Sequence, residues 1–198
     1  MKKLLLIIAL AIFSYANAQE KSILVMVSGT YFSENISTSG NDIKQTSFGF
    51  APKIGYQYHE NWTGGLEASI VTIKQNTEGN TNYEYKYNTV SLGGFLRYSK
   101  SLNETFSIYS DLGVGFQNKK EMNTSEEGKS PEGFGYYVAL TPAILINVTN
   151  GFALNFNIGS LGYNTLNYNS NNNINLEAVK KFNFTLGQAF TIGISKNF

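Results

Sequence analysis

The sequence predicts an all-β fold: a transmembrane, antiparallel, up-and-down β-barrel of about eight strands, preceded by a cleaved signal peptide. Three observations predict it. The chain opens on a secretory leader, its apolar residues recur with a period of two, and large apolar residues alternate with small or polar ones. In a membrane barrel the usual logic inverts: apolar side chains face lipid, and the narrow lumen takes small or polar groups.

The leader comes first. Lys2 and Lys3 form a positive n-region, Leu4 to Phe13 an apolar stretch, and Ala16-Asn17-Ala18 a small-x-small cleavage site. This assigns residues 1–18 to a signal peptide, cut before Gln19, and residues 19–198 to one barrel domain. The apolar stretch is too short to span a bilayer as a helix.

Composition narrows the class. Of 198 residues only 15% are charged, against about 25% in an ordinary soluble domain, while 14% are aromatic. Net charge is +1, which leaves no electrostatic footprint for nucleic acid. Cysteine is absent, so no disulfide, thiolate nucleophile or lipidated cysteine is available. No catalytic, cofactor or metal constellation emerges, and no cofactor is expected.

The strands follow in order. The first, near Ser22 to Ser33, and the third, near Gly64 to Gln75, alternate only roughly. The second sets Phe48, Phe50, Ile54, Tyr56 and Tyr58 against Ser47, Gly49, Ala51, Lys53, Gly55 and Gln57. The fourth sets Val90, Leu92, Leu96 and Tyr98 against Ser91, Gly93 and Arg97, with Phe95 breaking the rule. The fifth sets Phe106, Ile108, Leu112, Val114 and Phe116 against Ser107, Asp111, Gly113 and Gly115. In the sixth, Phe134, Tyr136, Val138, Leu140, Ile144, Ile146 and Val148 share one parity. The seventh sets Phe152, Leu154, Phe156 and Ile158 against Asn155, Asn157 and Gly159. The last alternates from Phe182 to Phe198, with Phe184, Leu186, Phe190, Ile192 and Ile194 on the large face.

Connections alternate in length. Short ones lie near His59–Trp62, Lys100–Glu104 and Thr149–Gly151; longer polar ones lie near Asn35–Lys44, Asn76–Asn82, Asn118–Gly133 and Tyr163–Lys181. Short periplasmic turns and longer extracellular loops give this pattern, and both chain ends then lie in the periplasm. The long connections are expected to be mobile loops. Tyr56, Tyr58, Tyr98, Phe106, Phe152 and Phe198 would form an aromatic girdle at the periplasmic interface, with Trp62 beside it. Phe48, Phe116, Phe134, Tyr136 and Phe184 would form the opposite rim.

With its leader, its alternating strands and the final run Phe190-Thr-Ile-Gly-Ile-Ser-Lys-Asn-Phe198, the chain resembles the small outer-membrane β-barrel family that includes the OmpX-like proteins and the barrel part of OmpA. The resemblance implies the fold, a cell outer-membrane location in a Gram-negative-type bacterium, and outer-membrane lipid as surroundings. It also implies that Phe198, with Ile194, Ile192 and Phe190 on its face, is the signal for the barrel-insertion machinery.

Inward parity places Lys53, Glu67, Arg97 and Asp111 in the lumen, near the periplasmic half. Charges there must pair. They make either a structural ion-pair plug or part of a proton or ion path. His59, the single histidine, falls at a periplasmic turn, away from any serine–histidine centre on the extracellular side. The functional expectation is therefore a non-enzymatic integral outer-membrane protein. Its polar extracellular loops would serve surface interaction, with an unidentified partner, or membrane integrity. Alternatives are a narrow porin-like channel, a secreted lipocalin-like soluble barrel, or a lipid A-modifying enzyme.

Overall fold

The computed structural model describes residues 22–38, 41–79, 83–123, 131–149, 151–168 and 178–198. The segment read as the leader lies outside them. Eight strands follow one another: β1 (Ile23–Thr38), β2 (Asn41–His59), β3 (Trp62–Gly79), β4 (Tyr83–Ser101), β5 (Phe106–Asn123), β6 (Glu132–Thr149), β7 (Phe152–Tyr168) and β8 (Val179–Asn197). Each pairs antiparallel with its sequence neighbours, and β1 pairs with β8 to close the ring. The closing seam pairs Leu24–Gly29 with Ile192–Asn197. Beyond the last strand residue, Phe198 exchanges both backbone hydrogen bonds with Ile23, at 3.1 and 3.2 Å. A closed cylinder leaves no sheet edge to satisfy, the condition for crossing hydrocarbon with strands.

The parity reads as the sequence predicts except on β7 beyond Asn157, where a register shift puts Gly159 opposite outward Leu186 and turns Leu161 and Tyr163 outward. Leu92 (64% exposed), Phe116 (63%), Phe184 (66%) and Ile194 (57%) stand on the outer wall. Phe48, Tyr56, Tyr58, Tyr98, Phe106, Phe134, Tyr136 and Phe152 are exposed there too. So much contiguous apolar surface is incompatible with water as the surrounding solvent. The side chain of Phe190 lies outside the described residues. Trp62 meets Tyr98 edge to face at 5.0 Å, and Phe116 stacks on Phe134 at 5.9 Å. These pairs sit at opposite rims, where amphipathic interfaces favour aromatic rings.

One expectation needs correction. Much of the long connections is strand, not mobile loop: β1 reaches Thr38, β3 reaches Gly79, β5 reaches Asn123, and β8 resumes at Val179. The ladder continues through pairs such as Ile36↔Ile43 and Tyr85↔Asn123. Beyond the bilayer both wall faces meet water, so apolar alternation fades while backbone pairing persists. A polar run there looks like a loop in sequence. Phe95 is the exception the alternation predicts: a large apolar residue on the inward parity, 5% exposed.

Three wall irregularities had no place in the alternation. Pro52 pairs with Val27 on β1, but β2–β3 pairing passes from Phe50↔Ile70 to Lys53↔Glu67. Pro142 pairs with Ser110 on β5, while β6–β7 register shifts between Leu140 and Ala143. Proline has no N–H to give the ladder, so each keeps one neighbour and loses the other. On β8, Gly187 takes φ 70° beside a register shift that steps from Asn157↔Thr191 to Gly159↔Leu186.

Candidate functional site: the charged layer of the lumen

Register decides what fills the lumen. Three rows of inward residues cross neighbouring strands β2 to β6. They read Gln57, Thr63, Arg97, Asp111, Thr141, then Gly55, Gly65, Phe95, Gly113, Ala139, then Lys53, Glu67, Gly93, Gly115, Tyr137. Each bulky side chain shares or adjoins a row with glycines. A Cβ on Gly65 would stand 2.8 Å from the Phe95 ring, and one on Gly55 would stand 2.9 Å from it. A Cβ on Gly113 would collide with the Glu67 carboxylate. An eight-strand lumen is only just wide enough for its own side chains, so large groups require small neighbours.

All four charged residues singled out in the sequence meet in this space. Lys53 Nζ lies 2.7 Å from Glu67 Oε2 and donates to Asp111 Oδ2 at 2.8 Å. Arg97 grips Asp111 with two bonds, Nε to Oδ1 at 2.6 Å and Nη2 to Oδ2 at 2.9 Å. The Tyr137 hydroxyl donates to Glu67 Oε1 at 2.8 Å. Arg97 and Asp111 are each 3% exposed. Two cations and two anions make the layer neutral, and the forked Arg97–Asp111 geometry is the strongest form of such a pair.

Aromatic and sulfur groups complete the layer. The Arg97 guanidinium lies 3.7 Å from the centre of the Tyr109 ring, and Lys53 Nζ lies 5.0 Å from that of Phe95. Arg97 Nη2 also reaches Met26 Sδ at 3.2 Å. A cation stacked on a ring regains part of the solvation it lost. Next to this layer, Asn155 is fully buried and donates through Nδ2 to Ser195 Oγ at 2.8 Å.

The layer separates two spaces. On the side away from the chain ends a cavity of about 290 Å³ is lined by residues that include Ser28, Thr30, Ser69, Ser91, Thr141 and Thr191, with Lys53 and Glu67 on its wall. At the mouth beside the chain ends a space of about 640 Å³ is lined by residues that include Gln57, Ser99, Ser107, Asn147 and Asn197. Beyond the bilayer the inward face carries a second pair, Lys119–Glu121 at 2.7 Å, with Tyr168 donating to Glu121 at 3.2 Å. Partial burial works against the Lys119 charge, but the Glu121 carboxylate outweighs it and holds this lysine above its ordinary pKa.

Sequence reasoning missed Tyr137, Tyr109, Phe95 and Met26 as members of the layer. A signal existed: Tyr137 is a large residue of inward parity, in register with Gly115 and Gly93. It becomes visible only once the pairing is known. His59 ends β2 beside the turn, where its Nδ1 accepts from the Asn61 backbone at 3.5 Å. None of the four luminal charges lies beside it in these contacts.

Comparison with known proteins agrees with the architecture. Among curated proteins none matches the chain in sequence. Among solved structures, a major outer membrane protein from Thermus thermophilus is similar, with a TM-score of 0.54 and 12% identity, covering 91% of this chain and 100% of that one. The attachment invasion locus protein Ail of Yersinia pestis matches at TM-score 0.43 and 17% identity, again over 91% and 100%. OprG from Pseudomonas aeruginosa matches at TM-score 0.47 and 14% identity, over 92% and 98%. The model of the outer membrane protein β-barrel domain matches residues 4–190. A closed eight-strand cylinder with an apolar exterior and that match have one reading: the protein resides in the outer membrane and belongs to the outer membrane protein β-barrel domain family.

Proposed function

We propose that the chain is a non-enzymatic, non-conducting barrel that holds its extracellular strand extensions and loops out for surface contact. One observation carries this reading: the Lys53–Glu67 and Arg97–Asp111 pairs, backed by Phe95 and Tyr109, lie across the lumen between two open spaces. An ion passing this layer would have to displace groups that already neutralise one another. The strands support the second half of the proposal. A tilted strand needs about 9–11 residues to cross hydrocarbon, whereas those here run from 16 to 19, so the wall continues well beyond the bilayer. Its extension displays polar side chains on a rigid frame. His59, bonded to its own turn, gives no support to a lipid-modifying centre.

A narrow channel is the competing reading, because open space lies on both sides of a single layer. Planar-bilayer recording separates the two. The proposal expects no resolved single-channel currents from the unmodified protein at ordinary salt. Steady, ion-selective currents would favour the channel.

A further inference from the structure

The outer wall carries a feature that neither the lumen nor the proposed surface role uses. On four consecutive strands the outward parity runs through the same series beyond the apolar band. On β2 it reads Phe48, Thr46, Lys44; on β3, Ile70, Thr72, Lys74; on β4, Val90, Asn88, Lys86; on β5, Phe116, Asn118, Lys120. Each strand thus places one neutral polar residue and then one lysine above its last apolar side chain. The register makes the lysines neighbours. Lys74 and Lys86 are directly opposite, Lys44 is diagonal to Lys74 through Thr46↔Lys74, and Lys120 is diagonal to Lys86 through Asn88↔Lys120.

Like charges placed directly opposite on a sheet destabilise it unless something neutralises them. Among the described residues, Lys44, Lys74 and Lys86 form no ion pair; Lys120 pairs with Glu132 at 3.2 Å. The nearby acids of the outward face, Asp42, Glu78 and Glu84, lie farther along their strands from the bilayer than these lysines. Height identifies the missing anion. Four residues of tilted strand raise each lysine roughly 10 Å above the last apolar side chain. The headgroup zone is about 5–8 Å thick on each side, and a lysine stem reaches back toward it. The arc is continuous only over β2–β5: on β1 the corresponding outward residues are Tyr31, Ser33 and Asn35, and on β8 an outward lysine, Lys180, stands apart from it beyond Phe182.

We propose that Lys44, Lys74, Lys86 and Lys120 form a binding face for the phosphorylated headgroup of an outer-leaflet lipid, with Lys74 and Lys86 at its centre. The lipid's acyl chains lie against Phe48, Ile70, Val90 and Phe116 below. The continuous arc orients a bound lipid on β2–β5.

Native mass spectrometry of the detergent-solubilised barrel tests this, with bis-phosphorylated lipid A and the same lipid stripped of phosphate as probes. The unmodified protein prefers the phosphorylated form. Each lysine near a charged lipid surface contributes roughly fivefold, so Lys74→Gln with Lys86→Gln lowers that preference about 30-fold. Lys74→Arg with Lys86→Arg retains it, as does Lys180→Gln with Lys181→Gln on β8. Heat-modifiable gel migration shows that each variant is folded. Absence of a phosphate preference, or equal losses in the β3–β4 and β8 glutamine variants, would overturn the proposal. Displacement of the lipid by inorganic phosphate or a sulfated oligosaccharide at low millimolar concentration would also overturn it, in favour of a soluble anion.

Discussion

Replacing Asp111 by Ala lowers the unfolding free energy of the barrel by about 3–5 kcal/mol, the range for removing one partner of a buried ion pair. The geometry explains the size. Asp111 receives two bonds from Arg97 and one from Lys53, and it is 3% exposed. Lys53 retains Glu67 at 2.7 Å, but Arg97 is left with Met26 Sδ and aromatic faces. Desolvation of that guanidinium then stands uncompensated. The double variant Arg97→Met, Asp111→Leu removes both charges at similar volume and costs less than Asp111→Ala alone. Urea titration of the protein in lipid vesicles reads both. A loss below about 1 kcal/mol for Asp111→Ala would mean that water reaches this layer freely.

The second large effect lies on the outer wall. Leu112→Arg is expected to cost about 2–4 kcal/mol, because an arginine side chain at the bilayer midplane loses its hydration. Leu112 is outward on β5, centred between Phe106 and Phe116. On the same strand and face, Asn118→Arg lies beyond the apolar band and costs about 0–1 kcal/mol. Urea unfolding of the two variants in vesicles therefore yields a depth profile. For a barrel surrounded by water, both changes would fall within about 0.5 kcal/mol of zero.

Much of this architecture was legible in the sequence because a membrane wall imposes a strict period of two. Phe106 to Phe116 announce β5 without ambiguity, since any slip of one residue would turn the strand inside out. The four luminal charges were legible for the same reason: parity alone sends Lys53, Glu67, Arg97 and Asp111 inward. Their pairing was not, since it depends on which row each residue joins across strands. Row membership also explains Phe95, whose place is made by Gly55 and Gly65 on neighbouring strands. Pro52 and Pro142 escaped because alternation tracks side chains, whereas their effect is on the backbone ladder. The strand extensions escaped because water on both faces erases the contrast that alternation needs. The lysine arc was hidden for a related reason: Lys74 and Lys86 lie far enough apart in sequence that only the register makes them neighbours.

Site-directed spin labelling tests inversion of the wall most directly, and the natural absence of cysteine makes single labels clean. Labels at Val90, Leu92, Ile108 and Val114 are expected to relax with lipid-soluble oxygen and to be shielded from a water-soluble nickel chelate. Labels at Ser91, Ser107 and Thr141 are expected to show much lower oxygen accessibility. The reverse assignment, with Leu92 and Val114 open to the chelate and Ser91 open to oxygen, would contradict an outward-facing apolar wall.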